Sequence, residues 1–238
     1  MEKFNKLLVF GLIIGVSLVV SAAIIARTFL DVKKLDNVIS VSGSAKQKVV
    51  SDSARWTANF SRSVFKDQLK NGYELMKNDE KAVINFFAAQ GFKNIEISPV
   101  FVNEIYKNDA NAPKEYNLIQ NIEIKSDDVN KMKELAKNTD KLAALGIFFS
   151  ANPVEYYYSK LPELRVSLLP EAIKDAKDRA DSIAQSSNKE VDAIKSVSMG
   201  VVQVMSVGSI DVSDYGSYDT SNIDKEVMIT VKAVFGLK

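Results

Sequence analysis

The 238-residue chain contains no cysteine and no histidine. Without cysteine there is no disulfide, no thiolate nucleophile and no iron–sulfur cluster. Without histidine there is no Ser-His-Asp triad and no imidazole-ligated zinc. Charge of one sign is lacking as well: 31 Lys and Arg face 30 Asp and Glu. Such a balance leaves no strongly basic face, so nucleic acid is not an expected partner. The motif inventory is equally bare, with no G-x-S-x-G elbow, no S-x-x-K with its supporting motifs and no phosphate-binding P-loop. The expectation is a protein that is not an enzyme, and no residue is assigned a catalytic, cofactor-binding or metal-binding role.

What the chain does have is one long apolar run. Leu7 to Ala26, LLVFGLIIGVSLVVSAAIIA, is 20 residues without a charge. At ~1.5 Å per residue a helix of that length crosses the ~30 Å hydrocarbon core of a bilayer. A cleaved signal peptide competes with this reading, because Lys3 and Lys6 form a basic start and Val20-Ser21-Ala22 offers small residues at a plausible cleavage point. The apolar character continues past that point through Ile24 and Ile25, which favours a retained anchor. Lys3 and Lys6 precede the span and Arg27, Lys33 and Lys34 follow it, so positive charge gives no clear orientation. Either reading exports the remainder, which carries 29 charges of each sign. Gly11 and Gly15 form a GxxxG pattern, with Ala22 seven residues on, and small residues on one helix face permit close approach of a second helix. Chance spacing in an apolar span explains the same pattern.

We divide the chain into residues 1–26 as the anchor or signal, 27–36 as a charged linker, and 37–238 as one α+β domain, an antiparallel sheet with helices on one face. A first strand reads from Val38 to Gly43. From Ala54 the even positions Ala54, Trp56, Ala58, Phe60 and Val64 are apolar and only Arg62 breaks the face, the period of a half-buried strand. Leu69, Tyr73, Met76, Val83 and Phe87 then recur at helical spacing up to Gly91, a C′ glycine. Ile95–Tyr106 and Glu115–Lys125 form a hairpin centred between Ala110 and Asn111, predicting pairs Ile97 with Ile124, Pro99 with Ile122 and Ile105 with Tyr116. Ser126 is the expected N-cap of a helix whose stripe is Val129, Met132, Leu135, Ala136, Leu142 and Ala143, ending at Gly146. Strand character resumes over Ile147–Tyr158. A third helix starts near Pro162, kinks around Pro170 and runs to about Ser187, with Ala172, Ile173, Ala176, Ala180, Ile183 and Ala184 as its buried face. Strands over about 191–207 and 226–236 close the chain, the last with Val227, Ile229, Val231, Ala233 and Phe235 on one side.

Several of these segments, in order, resemble the SIMPL-domain family. Ile39-Ser40-Val41-Ser42-Gly43-Ser44 followed by Val50-Ser51-Asp52-Ser53-Ala54 is similar to its opening signature. Tyr116–Ile124 resembles its central strand, Glu171–Ala180 its alanine-striped helix and Glu226–Leu237 its last strand. Ser187-Asn188-Lys189-Glu190 departs from the glycine-containing turn usual there. The resemblance implies a bacterial envelope protein with ties to stress responses, without agreed catalytic residues, that assembles as a large homo-oligomer. It would sit in the inner membrane as a single-pass protein, held through residues 7–26 with its C-terminal domain in the periplasm, and its partner would be itself in an assembly larger than a dimer.

Two features invite a functional reading. Ser206–Asn222 is a long loop rich in Ser and Gly, with Asp211, Asp214 and Asp219 and no basic residue. It lacks EF-hand ligand spacing, so a solvated loop is preferred over a Ca²⁺ site, and an oligomer contact is a further role for it. Tyr156-Tyr157-Tyr158 alternates across a strand, with packing preferred over ligand stacking, and Trp56 is expected in the core. The loop and the tyrosines motivate the alternative function, a periplasmic binding module for a small ligand or partner protein. The apolar segment is expected to be retained: intact-mass spectrometry of the purified protein should return the whole 26.3 kDa chain, whereas a mature amino terminus near Ala23 would make the segment a cleaved signal.

Overall fold

A computed structural model describes residues 2–35, 37–109 and 111–238, so the expected hairpin centre at Ala110 lies outside the described residues. The chain opens with α1 (Glu2–Leu35), then β1 (Val38–Val50), β2 (Ser53–Phe65) and, after a short 3-10 turn, α2 (Leu69–Ala89). Next come β3 (Asn94–Ile97), β4 (Phe101–Ile105), β5 (Glu115–Ser126), α3 (Val129–Lys137), α4 (Asp140–Ala144), β6 (Phe148–Ala151) and β7 (Glu155–Tyr157). The last part holds α5 (Leu161–Ser167), α6 (Leu169–Ser186), β8 (Val191–Met199), β9 (Gln203–Ser206), β10 (Ser217–Tyr218) and β11 (Asp224–Leu237). The content is α+β, but the strands form two sheets where the sequence suggested one.

Helix α1 contains a stretch, Phe10–Leu30, long and apolar enough to cross a membrane, and none of it is buried. The helix does not stop at residue 26 as expected: it continues through the charged segment to Leu35. No glycine or proline lies between Arg27 and Leu35 to end it.

Residues 37–238 divide between two compact units, the first also including α1: residues 1–45, 168–201 and 229–238 form one, and 46–167 and 202–228 the other. The long strands β1 and β11 each belong to both, and no Pro- or Gly-rich linker in the sequence announces the division.

In the first unit, β11 lies between β1 and β8. Ile229, Val231, Ala233 and Phe235 of β11 are all buried, as the period of two required. Gly43 of β1 faces α6 so closely that a Cβ there would stand 2.2 Å from the Ala172 carbonyl oxygen and 2.4 Å from the Ala176 nitrogen. The buried face of α6 is correspondingly small: Ala172, Ala176, Ala180 and Ala184 are all buried, while Ile183, expected among them, is 49% exposed. The Ser44 N–H donates to the Asp175 carboxylate at 2.8 Å, and Arg179 pairs with the same carboxylate at 3.0 Å. These contacts, the Arg179 side chain first, hold the Asp175 carboxyl below its ordinary range. Helix α6 ends in a Schellman pattern, with Lys189 N bonded to Ala184 O and Asn188 N to Gln185 O. Asn188 takes φ of 53°, the left-handed conformation for which glycine is the usual residue, so the irregular turn read from the sequence is a normal helix stop.

In the second unit, β3, β5, β2 and β6 lie side by side, β4 also pairs with β5, and β7 with β2. Strands β2 and β5 pair from Ala54 opposite Ser126 to Phe65 opposite Glu115. Trp56, Phe60, Phe87, Met76, Ile122, Ile124 and Met132 form the core against α2 and α3. The Trp56 indole N–H donates to the Asn152 carbonyl at 2.8 Å, and its ring meets Phe87 edge-on at 5.9 Å. Arg62, the one break in the apolar face, pairs with the buried Asp79 of α2, its Nη2 donating to Oδ1 at 2.8 Å. Gly91 and Gly146 end α2 and α4 with φ of 79° and 75°.

Four readings are corrected here. Ile95 pairs with Ile124, Ile97 with Ile122 and Ile105 with Glu115, a different register from the one expected. The cause is the interruption at Ser98–Val100: Ser98 N donates to Asn121 O, and Asn121 N to Ser98 Oγ, so Pro99, with no N–H, drops out of the ladder. Asp128, not Ser126, caps α3, its Oδ1 accepting from Lys131 N at 2.9 Å, and the expected single helix is broken between Lys137 and Asp140. Pro170 starts a helix instead of kinking one, because a first turn tolerates its missing N–H, and α5 and α6 are separate helices.

Gly43→Ala is predicted to destabilise the first unit by about 3 kcal/mol, at the upper end of overpacking costs, because its Cβ meets helix backbone and not a flexible side chain. Urea denaturation measures this, and an unchanged midpoint would mean that the strand and helix are less closely packed.

Candidate functional site

The second unit contains the loop that follows β9, and it is tied down at three places. Gln203, buried at the start of β9, donates from Nε2 to Ser213 O at 2.6 Å, and its Oε1 accepts from Ser217 Oγ at 2.7 Å. Asp219 N donates to Val204 O, and Tyr158 N to the Tyr218 hydroxyl, each at 2.8 Å. Beyond the loop, Lys225 of β11 is fully buried, and its ammonium donates to the carbonyls of Asp219 and Asn222. Burial pushes the Lys225 pKa down, while the Asp219 charge works in the opposite sense. For Asp219 itself burial acts to raise the pKa, but the Asn222 amide, the Ser221 N–H and the Lys225 charge outweigh it and the net shift is downward.

The loop expected to be solvated is exposed along much of its length, at Val207, Gly208, Tyr218, Ser221 and Asn222, and most of all at its tip, where Ile210 and Tyr215 are 91% and 96% exposed. The three aspartates are not brought together. Asp211 and Asp214 lie at the exposed tip, whereas the Asp219 carboxylate accepts from Ser221 N and Asn222 Nδ2 at 2.8 Å each, a local turn. Among the described residues no group of three carboxylates is placed to hold a metal ion.

Of the three tyrosines only the first is buried, none is exposed, and Tyr158 lies beyond the end of β7. Tyr156 is buried, and burial raises its pKa, an effect that the nearby Lys137 reduces. Tyr157 donates its hydroxyl to Glu155 at 2.8 Å and lies 5.8 Å from the Tyr218 ring, while Tyr158 is half-buried. Asp52, within the opening signature, accepts from both the backbone N–H and the hydroxyl of Ser159, at 2.7 and 2.8 Å, and so fixes the turn after β7.

Beside the loop is a cleft of about 590 Å³ whose lining residues all belong to the second unit. Asn130 and Lys133 of α3 form one side, Tyr156 and Val50 another, and Ser206, Val207 and residues 221–224 the rest. The structure thus brings Tyr156 and the end of the loop into one site and leaves Tyr157, Tyr158, Asp211 and Asp214 outside its lining. Sequence reasoning missed Gln203 and Lys225. Lys225 was open to discovery, since it occupies the same phase of β11 as Val227 and Ile229 and so had to point inward.

The pH dependence follows from that burial. The native state releases the Lys225 proton at lower pH than the unfolded chain, whose lysine keeps the ordinary value of 10.5. Below the lowered pKa both states hold the proton and the cost of burying charge is constant. Between the two values the unfolded chain binds more protons, so this residue's contribution to stability rises with pH. Relative to Lys225→Met, the wild type is expected to gain stability across that alkaline window and to show a flat difference near neutrality. Urea midpoints of both proteins over a pH series test this, and a difference independent of pH would contradict it.

The SIMPL family model, described as a protein of unknown function (DUF541), matches residues 39–235. A search of the curated proteins finds no match.

Proposed function

Because the chain belongs to the SIMPL family, we propose that it is a non-enzymatic, membrane-anchored envelope protein whose working form is a homo-oligomer larger than a dimer. In this reading α1 holds it in the inner membrane of a bacterium, the C-terminal domain stands in the periplasm, and its place in stress responses rests on the family likeness. The residue types carry the non-enzymatic part, since the chain has neither thiol nor imidazole.

One observation carries the assembly. Strand β8 is nine residues long and pairs with β11 on one side, while no strand among the described residues pairs with its other side. Met199, Val197 and Ile194 lie opposite Val231, Ala233 and Phe235, whose side chains are buried, yet these three are 41%, 41% and 45% exposed. A long free strand that carries exposed apolar side chains offers a template for pairing, and tethering many copies in one membrane raises their effective concentration. A domain without net charge adds no long-range repulsion, and closed symmetry would satisfy every copy equally. A second reading, a binding module for a small ligand or partner protein, draws on the cleft between α3, Tyr156 and the loop.

Light scattering on the detergent-solubilised chain after size exclusion should give a protein mass above two 26.3 kDa protomers. Val197→Lys, which puts a charge on the free edge, should shift it to smaller species. A monomeric wild type would overturn the assembly.

A further inference from the structure

We propose that the cleft of the second unit binds an uncharged, hydroxyl-rich ligand of the saccharide class. This rests on the binding reading and goes beyond it in naming what is bound. The volume, about 590 Å³, falls in the usual range for small-molecule sites.

The site is built and not a chance hollow. Tyr156 lines it with only 6% of its surface exposed, and its hydroxyl has no hydrogen-bond partner among the described residues, although it is not among the fully enclosed unpaired atoms. A polar group packed away without a partner is available to a ligand that reaches it. The facing wall is fixed from behind. The carbonyls of Asp219 and Asn222 accept from the Lys225 ammonium, that of Thr220 from Tyr156 N at 2.7 Å and that of Ile223 from Ser51 N at 2.9 Å. With four carbonyls of the segment engaged, Ser221 and Asn222 line the cleft from a rigid strip. A fully buried ammonium is a costly way to hold a loop that does nothing else, and preorganisation of a binding wall gives it a purpose.

The chemistry of the lining selects the ligand. Its charged residues are one cation, Lys133, and one anion, Asp224, so a ligand with net charge gains no overall attraction. The remaining polar groups are hydroxyls and amides, from Tyr156, Ser206, Ser221, Asn130 and Asn222, which both donate and accept as sugar hydroxyls do. Val50, Val207 and Ile223 supply apolar contact for C–H faces.

Saturation-transfer NMR on the full chain, in a detergent without a sugar headgroup, tests the assignment with glucose, galactose, N-acetylglucosamine and cellobiose against glucuronate, glucosamine and glucose 6-phosphate. At least one neutral sugar should bind saturably, and no charged counterpart more tightly. Tyr156→Phe, which removes only the hydroxyl, should weaken that binding about tenfold with an unchanged urea midpoint, and Ser221→Ala should weaken it as well. A small-fragment library screened on the same sample separates the two levels of the proposal. Charged sugars or fragments that bind in a Tyr156-dependent way, while neutral sugars do not, would overturn the ligand class alone. Binding indifferent to both variants would overturn the site, and no binding by any probe would overturn the binding reading with it.

Discussion

The first unit depends on how near one strand backbone lies to one helix. At Gly43 there is no room for even a methyl group between β1 and the turn of α6 that carries Ala172 and Ala176. That approach dictates glycine on the strand and alanine at every fourth position of the helix, since Ala172, Ala176, Ala180 and Ala184 repeat at the spacing of one helical face. It also brings Asp175 to the Ser44 N–H, so that a strand donor is satisfied by a helix side chain. The two segments that best express the family likeness, around Gly43 and over Glu171–Ala180, therefore meet each other. Their composition is explained by contact geometry, with no reactive group involved.

The second unit follows a different logic, in which polar groups are buried to shape a surface segment. Gln203 and Lys225 lie in β9 and β11, strands that pair with each other, and each binds backbone of the loop that connects them. Breaking such an arrangement by removing one partner is far more damaging than replacing the whole of it with apolar packing, which is the usual behaviour of buried charge. The loop is consequently ordered at its base while its tip, with Ile210 and Tyr215, stays open.

Much of this architecture was legible in the sequence, and the reasons are local. The alternation of Ala54, Trp56, Ala58 and Phe60 and that of Val227 to Phe235 each record one sheet face, and Gly91 and Gly146 mark helix ends because only left-handed backbone fits there. Register was harder, since a single proline beside Ser98 displaces the ladder and nothing in the period reveals by how much. Helix boundaries at Asp128 and Pro170 turned on which of two adjacent polar or rigid residues took the first turn. The cleft was hidden for a different reason: Val50, Asn130, Tyr156 and Asn222 are far apart in the chain, and only the folded sheet brings them together.

One feature has a mechanical side. Helix α1 ends at Leu35 and β1 starts at Val38, so any pull on the apolar helix enters the domain along the first strand. That strand runs beside β11, with Leu237 N bonded to Asn37 O near one end and Ser51 N to Ile223 O near the other. Tension along β1 would load this ladder lengthwise, where the bonds must yield together and not peel open singly. A protein moored by such a strand would meet drag at its anchor through the pairing of β1 with β11.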